Sequence, residues 1–434
     1  MKSKQQPRYV WYGGRHLAMI FICGIMYFIN TILSSGSTNT VFPLLSELNG
    51  WNNNVILVTM TVAGYIGAVC ILIGGSLVMK TGAKRMAVFC LLATGITTMF
   101  WGVTKSLVVF VIILIVQRFF LVGFNNCANP ALVSAWWPRK KGVVLGWATM
   151  GVVLSDIVWG PYIPDLVERF GARNTFLVAG GLIIVFAIVV AFVVKDTPEE
   201  FGLYPDGAKE GAEDAREVAK SYKEYHSPWT VKRVLKTKQA WLIILGYGFL
   251  WMCSAMFLNQ IVPRITSLGY DSSFGVTVLQ AAAICALFGS WFLGFLDQKI
   301  GTKRTSQIFA IWQSVMFILG ILQHQNIVFI WISTLGLMAG VGGICNLIPS
   351  MIISIWGRWD FTAVNRVISF VMDIIRCSAF AMITVFLKTP WGYDTMYLVS
   401  AIVSVICVIL ISNISTKPLG KQEFEVAENT AKAE

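Results

Sequence analysis

Four charged residues stand inside long apolar stretches of the chain, and they have the clearest capacity for chemistry: Arg118, Asp156, Asp373 and Arg376. A charge held at the centre of a bilayer costs ~2.5–3.5 kcal/mol on insertion scales. Each of these residues should therefore face a cavity or a partner. Guanidinium and carboxylate groups in such places suit the binding of a charged solute and the exchange of protons.

Arg376 and Asp373 are three residues apart, so they share one face of a helix. One interpretation is that Arg376 binds a substrate carboxylate while Asp373 tunes it or accepts a proton. The alternative is a self-neutralised pair that holds neighbouring helices together. The residue types alone leave both interpretations open.

Arg118 shares a helix face with Asn125 and Asn129, which follow it along the chain. This face can line a cavity with a cation and two amides, or Arg118 can bind carbonyl groups of neighbouring helices. Asp156 is either a protonation site or a fixed partner of Arg118. Asp156 and Asp373 are therefore the candidates for proton coupling.

A second group of candidates consists of polar or amphipathic side chains inside apolar stretches. Most of the 16 tryptophans and 12 tyrosines should anchor the chain at membrane interfaces or pack between helices. Those at central positions are better candidates for the wall of a cavity. Beside Arg376 and Arg118, the predicted substrate-binding residues are Tyr27, Asn30, Tyr247, Trp251 and Gln280.

The elements that must position these residues are long apolar helices. Of the 434 residues, 56% are hydrophobic and 13% are charged, against about 25% charged in soluble domains. A helix needs about 20 apolar residues to cross a bilayer core of ~30 Å. The predicted fold is an all-α membrane protein with twelve transmembrane helices, at 16–37, 55–79, 86–104, 107–132, 142–164, 174–194, 239–262, 274–296, 305–322, 326–352, 364–387 and 391–413.

The twelve spans form two related halves. Six of the eleven residues in Gly75–Arg85 recur in Gly294–Arg304 at an offset of 219, and the same offset aligns Pro130 with Pro349. Parallel six-helix repeats are typical of transporters that rock one half against the other around a central site. The predicted domains are a six-helix half at 1–194, a cytoplasmic linker at 195–238, a second half at 239–413 and a cytoplasmic tail at 414–434.

The linker and the loops predict how the chain lies in the membrane. The linker holds nine basic and nine acidic residues, so we expect it to be solvated and to join the halves without carrying chemistry. With a cytoplasmic N-terminus, only five of the 34 basic residues fall in outside loops: Lys105, Arg169, Arg173, Arg264 and Lys388. The positive-inside rule then places both termini in the cytoplasm. The expected location is the cell membrane, with the lipid bilayer as a partner.

Several other classes of protein are disfavoured. The net charge of +12 could suggest nucleic acid, but the basic residues form short clusters between apolar runs. The nine cysteines lack the spacing of metal ligands, and no phosphate-binding loop or Ser/His/Asp set is present. We therefore predict a monomer that is not an enzyme, with no cofactor, no metal and no nucleic acid.

The two repeated loops resemble the loop between spans 2 and 3 of the major facilitator superfamily, which reads roughly G-x-x-x-D-[RK]-x-G-[RK]-[RK]. Met79 takes the place of the aspartate in the first loop, and Gln298 takes it in the second. This resemblance implies the twelve-helix fold and a role for both loops in latching the halves together. The predicted gating residues are Gly75, Lys80, Gly82, Lys84, Arg85, Gly294, Asp297, Gly301, Lys303 and Arg304.

Two further segments, Asp196–Gly207 and Trp137–Gly142, are similar to bacterial members of the oxalate–formate antiporter and monocarboxylate porter group. In those relatives a basic residue on span 11 contacts the substrate carboxylate, and Arg376 stands at the matching place. Some carry a second basic residue on span 8, where this chain offers only Gln280. The resemblance implies a secondary transporter of a small organic anion, in particular a monocarboxylate, by antiport or proton symport.

Two other functions remain open at this point. The aromatic-rich composition and the near cancellation of the four intramembrane charges also suit a larger amphipathic or neutral solute, such as a sterol-like acid or a drug. A sensor that has kept the fold without transporting anything is the other possibility. A sensor would need a partner domain, and both tails are short.

Overall fold

The computed structural model describes residues 14–31, 35–51, 53–207, 221–222 and 224–420, and the regular structure in these ranges is helical. The helices are α1 (Gly14–Asn30), α2 (Ser35–Asn49), α3 (Asn53–Thr81), α4 (Ala83–Trp101), α5 (Leu107–Gly123), α6 (Asn129–Trp136), α7 (Lys141–Phe170), α8 (Ala172–Val193), α9 (Val231–Leu235), α10 (Lys238–Leu258), α11 (Ile261–Ser267), α12 (Ser272–Ile300), α13 (Thr302–Ile321), α14 (Ile327–Cys377), α15 (Ala379–Leu387) and α16 (Tyr393–Ser412). The predicted all-α fold is confirmed.

The described helices account for the predicted spans. Ten helical segments are long and apolar enough to cross a bilayer, and one of them, Ile327–Leu387, has 61 residues. A straight helix of that length would measure about 90 Å, three times the bilayer core. It bends at Gly357, whose φ of 69° is not helical, and so supplies two spans. The predicted first span corresponds to α1 and α2, which lie on either side of 32–34.

The outer surface of the bundle is apolar in the way that lipid contact requires. On α8, the side chains of Val178, Leu182, Val185 and Phe192 are 60% to 81% exposed. Continuous exposed apolar surfaces of this kind are unusual in soluble monomers. The chain is therefore a multi-pass membrane protein.

A local change of helix type separates α5 from α6. Residues Phe124–Ala128 form a π-helical turn, a feature that is rare and often marks a functional site. Pro130 follows it and has no N–H group, so the carbonyls of Asn125 and Asn126 are free to bind other elements. The Tyr27 hydroxyl donates to the carbonyl of Asn125 at 3.3 Å.

We call the two sets of helices the N-terminal half (residues 14–194) and the C-terminal half (residues 239–413). We call the end of the bundle that carries residues 195–207 the linker end. The inter-half hydrogen bonds that the described residues make with one another lie between the linker end and the middle of the bundle. They include Lys141 Nζ to Ser354 Oγ at 2.6 Å and Asn365 Nδ2 to the carbonyl of Asn126 at 2.7 Å. The structure is thus closed at the linker end.

The described first part of the linker is packed rather than solvated, which corrects the expectation from its charge content. Thr197, Glu199 and Asp206 are each at most 3% exposed. Two short 3-10 turns, Pro198–Phe201 and Pro205–Gly207, organise this part. Charged residues become buried here because the loops of both halves supply partners for them.

Asp206 fastens the linker to the start of α7. Its carboxylate accepts hydrogen bonds from the backbone N–H groups of Arg139 at 3.2 Å and Lys140 at 2.8 Å. Its φ of 60° lies in the left-handed region, which Asp and Asn adopt more readily than other non-glycine residues. Burial raises the pKa of Asp206, while the two N–H groups and the Lys140 charge oppose that rise.

Replacing Asp206 by asparagine should therefore be tolerated, and replacing it by alanine should not. A raised pKa in the fold means that stability falls as pH rises from about 3.9 through the folded-state pKa. The asparagine variant would keep an acceptor and the left-handed backbone without this pH dependence. Alanine would leave two N–H groups without their acceptor, at a cost of ~1–3 kcal/mol. Thermal unfolding of the detergent-purified variants at pH 5 and pH 7 tests this, and equal damage by both substitutions would contradict it.

Candidate functional site

The predicted pair on the eleventh span forms an ion pair near the middle of the bundle. Arg376 Nε donates to Asp373 Oδ1 at 2.6 Å. The guanidinium carbon of Arg376 lies 4.9 Å from the centre of the Trp251 ring, within the range of a cation–π interaction. Asp373 is about 24 Å along the helix from the bend at Gly357, so the pair lies deep in the membrane.

Glycines on α3 allow Arg118 to approach this pair. A side chain at Gly67 would contact Val122 and the carbonyl of Arg118, and one at Gly64 would lie 3.1 Å from Cys377 Sγ. The helices α5 and α14 therefore both pack closely against the face of α3 that carries Gly64 and Gly67. Arg118 lies within electrostatic range of both Arg376 and Asp373.

Arg118 is a cation without a counter-ion of its own among the described side chains. The Nε atom of Arg118 is buried and has no hydrogen-bond partner. The ion pairs that the described side chains form with one another do not include Arg118. Asp373 Oδ2 is likewise buried and unpartnered. With Asp373 ionised, the group of Arg118, Asp373 and Arg376 carries a net charge of +1.

The group borders an interior cavity. Cys345 on α14 is solvent-exposed although protein surrounds it, so it faces a space inside the bundle. Tyr27 and Arg376 both lie within electrostatic range of its thiol. The cavity wall thus combines residues of spans 1, 10 and 11, with Trp251 of span 7 beside Arg376.

Three predicted substrate-binding residues are not brought to this group. Asn30 accepts a hydrogen bond from Thr94 Oγ1 at 3.1 Å, between α1 and α4. The Tyr247 hydroxyl is 2.6 Å from Ser306 Oγ and is buried against α13. Gln280 lies on the exposed, mostly apolar stripe of α12.

Asp156, the second candidate for proton coupling, belongs to α7, but its side chain lies outside the described residues. Its predicted role therefore stays a prediction. The pairing of Asp156 with Arg118, which the sequence left open, stays open for the same reason.

The floor of the cavity toward the linker end is a buried polar cluster shared by the halves. Thr149 of α7 bonds both Ser290 of α12, at 2.8 Å, and Asn346 of α14. Asn346 Nδ2 donates to the carbonyl of Ser290 at 3.0 Å. Buried polar groups with mutual partners stabilise a single arrangement, and here that arrangement closes the path to the linker end.

The predicted gating loops lie at the linker end. A side chain at Gly75 would overlap Arg366 Cβ, and one at Gly142 would overlap Asp297 Oδ2. Asp297 is buried and accepts from Ser350 Oγ at 2.5 Å. These close approaches place Gly75 and Asp297 of the two loops where the halves meet, and the latch role of the loops stays a prediction.

The remaining gating candidates frame the same contact. Gly294 packs against the carbonyl of Gly142, and Gly82 and Gly301 have φ values of 92° and 87° at the turns into α4 and α13. The exposed or half-exposed cations at these turns are Lys80, Lys84, Arg85, Lys303 and Arg304. A cavity of about 780 Å³ lies beside the first loop, bordered by Tyr225 and Trp359, and it is separate from the group around Arg376.

Two parts of this site were not predicted from the sequence. Cys345 was interpreted, with the other cysteines, as an apolar filler. A signal for it exists: Pro349, the repeat-related partner of Pro130, lacks the N–H group that would bind the carbonyl of Cys345. The Thr149–Ser290–Asn346 cluster has no such signal, because its members come from three distant helices.

Comparison with known families gives a match over most of the chain. The sequence profile described as Major Facilitator Superfamily matches residues 20–384. This range contains Arg118, Asp156, Asp373 and Arg376 and both repeated loops.

Individual relatives are distant. The chain is 26% identical to a "Probable sulfoacetate transporter" of Cupriavidus necator, over 70% of this chain and 69% of that protein. It is 23% identical to a sialic acid transporter of Escherichia coli, over 64% of each. It is 24% identical to an oxalate:formate antiporter of Oxalobacter formigenes, over 64% of this chain and 62% of that protein.

Solved structures share the fold. A proton:xylose symporter bound to 6-bromo-6-deoxy-D-glucose superposes with a TM-score of 0.69 at 13% identity, covering 93% of this chain and 97% of that one. The human organic anion transporter MFSD10 gives 0.67 at 11% identity, covering 94% and 100%. The predicted resemblance in family and fold is confirmed.

Proposed function

We propose that this chain, which belongs to the Major Facilitator Superfamily, carries a small organic anion across the cell membrane by alternating access. Members of this family are transporters and not enzymes. The observation that carries the anion proposal is Arg118, a cation inside the bundle close to the Asp373–Arg376 pair, with no counter-ion among the described side chains. A site with a net charge of +1 in a low-dielectric interior stabilises a bound anion.

The geometry of Arg376 suits a carboxylate. Asp373 accepts from its Nε atom, and Nη2 makes one long contact with Cys377 Sγ at 3.9 Å, so Nη1 and the second N–H of Nη2 are available to a ligand. Guanidinium groups bind carboxylates through two parallel hydrogen bonds. Trp251 covers one face of the group and limits the directions from which a ligand can reach it.

The names of the relatives support the same chemistry. Sulfoacetate, sialic acid and oxalate, which three of them are named for, are all organic anions. The net charge of the site distinguishes monocarboxylate from dianionic substrates by the protonation state that each requires of Asp373. A monocarboxylate neutralises it when Asp373 is ionised, whereas a dianion neutralises it when Asp373 is protonated.

We infer that the linker end is cytoplasmic, because the positive-inside rule favours that orientation. The closed linker end then corresponds to an outward-facing state. Transport requires the halves to rock so that the cavity opens on the other side. Without a phosphate-binding loop, the energy comes from a gradient, by antiport or by proton symport through Asp373 or Asp156.

Uptake of radiolabelled carboxylates into proteoliposomes tests this function. Mono- and dicarboxylates should be taken up saturably, with stimulation by trapped unlabelled anion for exchange, or by an inward proton gradient for symport. If none of these carboxylates is taken up, the small-anion proposal is excluded and an amphipathic solute is favoured. Retained binding without any movement of ligand would favour a sensor.

A further inference from the structure

The linker is divided between the two halves. Its described parts are 195–207 and a second part at 221–222 and 224–238, and each part binds a different half. This division matters because the halves of a rocking transporter move relative to each other.

The first part is bound to the N-terminal half at several points. Its contacts are the Asp196 carboxylate with the N–H of Lys84 at 2.7 Å, the carbonyl of Lys195 with Trp136 Nε1 at 3.1 Å, the carbonyl of Tyr204 with His16 Nε2 at 3.0 Å, and Asp206 with the N–H of Lys140 at 2.8 Å. With anchors on α1, α4, α6 and the start of α7, this part moves as one body with the N-terminal half.

The second part is bound to the C-terminal half. The Tyr225 hydroxyl and Ser227 Oγ both donate to Asp360 Oδ1, at 3.0 Å and 2.6 Å. The ring of Trp229 packs edge-on against Trp356, with centroids 5.7 Å apart. The two parts of the linker therefore separate when the halves separate at this end.

Among the described residues, a buried ion pair joins the first part of the linker to the C-terminal half. Arg358 Nη2 donates to Glu199 Oε1 at 2.9 Å, and both side chains are at most 2% exposed. Arg358 Nη1 also donates to the carbonyl of Ala135 in the N-terminal half at 3.1 Å. Arg358 belongs to the bend between spans 10 and 11, so it is part of the C-terminal half. Its guanidinium is bound by a carboxylate of the linker and a carbonyl of the N-terminal half.

We propose that the Glu199–Arg358 pair is a latch that holds the linker end closed and breaks each time the cavity opens there. Opening pulls Arg358 away from Glu199, because Glu199 moves with the N-terminal half. Removing Glu199 takes away the carboxylate that the buried Arg358 guanidinium binds in the closed state, and losing one partner of a buried pair is strongly unfavourable. Removing either charge therefore shifts the population toward the open linker end.

This latch lies in a different element from the loop that the family resemblance pointed to. The first repeated loop has Met79 where the family has an aspartate, and Met79 is 44% exposed. In this chain a carboxylate of the linker, Glu199, pairs with Arg358 of the C-terminal half. The proposal rests on the rocking motion of the family and not on the identity of the substrate.

Distances between spin labels at Val193 and Asn413 test the latch. Both residues are exposed, and they stand at the linker ends of α8 and α16, the last helices of the two halves. Labels introduced through genetically encoded keto side chains leave the native cysteines in place. In the absence of substrate, Glu199→Gln should raise the ratio of long to short distances about tenfold, the shift that 1.4 kcal/mol produces.

A double-mutant cycle separates a latch from general damage. Glu199→Gln with Arg358→Gln should be no more open than either single variant, because both remove the same interaction. Asp165→Asn is the matched control, since Asp165 forms an exposed ion pair with Arg169 at 3.0 Å, and it should leave the distances unchanged. If Glu199→Gln does not fold, Glu199→Asp retains the charge but lengthens the pair, and the ratio should still rise.

Unchanged distances in a folded Glu199→Gln protein would overturn the latch, as would additive effects in the cycle. These outcomes say nothing against anion transport, because the measurement needs no substrate. Conversely, an absence of carboxylate uptake would contradict the proposed function but not the latch.

Discussion

Replacing Arg376 by glutamine should lower the initial rate of carboxylate uptake at least ~100-fold while the protein still inserts into the membrane. The substitution removes the group that is free to bind a carboxylate and reduces the net charge of the site from +1 to 0. Truncating one partner of a buried, hydrogen-bonded charge pair costs ~2–5 kcal/mol in binding systems. The free-energy cost that corresponds to a ~100-fold loss of uptake rate lies within that range.

Two comparisons show whether the loss is specific. Arg376→Lys keeps the charge but not the planar fork, so it should retain partial uptake with weaker apparent affinity. Arg169→Gln changes an exposed arginine and should behave like the wild type. Labelling of Cys345 by a membrane-impermeant maleimide from the outside reports whether the cavity still forms. Full uptake by a correctly inserted Arg376→Gln protein would falsify the proposed substrate contact.

Replacing Gly142 by valine should abolish transport through a different step. A Cβ atom at this position would overlap Asp297 Oδ2 and lie 2.8 Å from Asp297 Cγ. Asp297 cannot move aside easily, because Ser350 holds it at 2.5 Å in a buried position. Small residues at helix contacts allow this close approach of backbones. The variant should therefore fail to close at the linker end, and uptake should fall at least ~100-fold.

The label pair at Val193 and Asn413 gives the direct measurement. Gly142→Val should show mainly the long distance, and Gly142→Ala an intermediate distribution. Gly181→Ala is the matched control, because the nearest atom to its new Cβ would be Met99 Cε at 3.7 Å, an ordinary van der Waals contact. A Gly142→Val protein with normal uptake and a closed linker end would show that the contact at Gly142 is dispensable.

Much of the architecture could be predicted from the sequence. The apolar runs follow from the energetics of the bilayer, which admits few other structures. The pairing of Asp373 with Arg376 follows from a spacing of three residues on one helix, since helical geometry alone places such side chains together. The recurrence of glycine and basic residues at one register revealed the repeat, and the family resemblance of the two repeated loops implied a contact between the halves there.

The composition of the site could be predicted only in part. Arg118, Trp251 and Tyr27 come together with the pair, whereas Asn30 and Tyr247 bind other helices of their own halves. All five are polar or amphipathic groups in apolar runs, so their types do not distinguish cavity from packing. The rotation of each helix about its axis decides between them, and neighbouring helices determine that rotation.

The sequence by itself determined the number of spans, the repeat and the local ion pair, because these depend on hydropathy and on residues close in the chain. The tertiary structure decided which distant residues meet. Glycines at 64 and 67 bring Arg118 to Arg376, and the folded linker brings Glu199 to Arg358. Glu199 lies in a segment rich in both charges, and nothing in its neighbours indicates burial. Its partner is 159 residues away, and only the packing of both halves against the linker makes that buried pair possible.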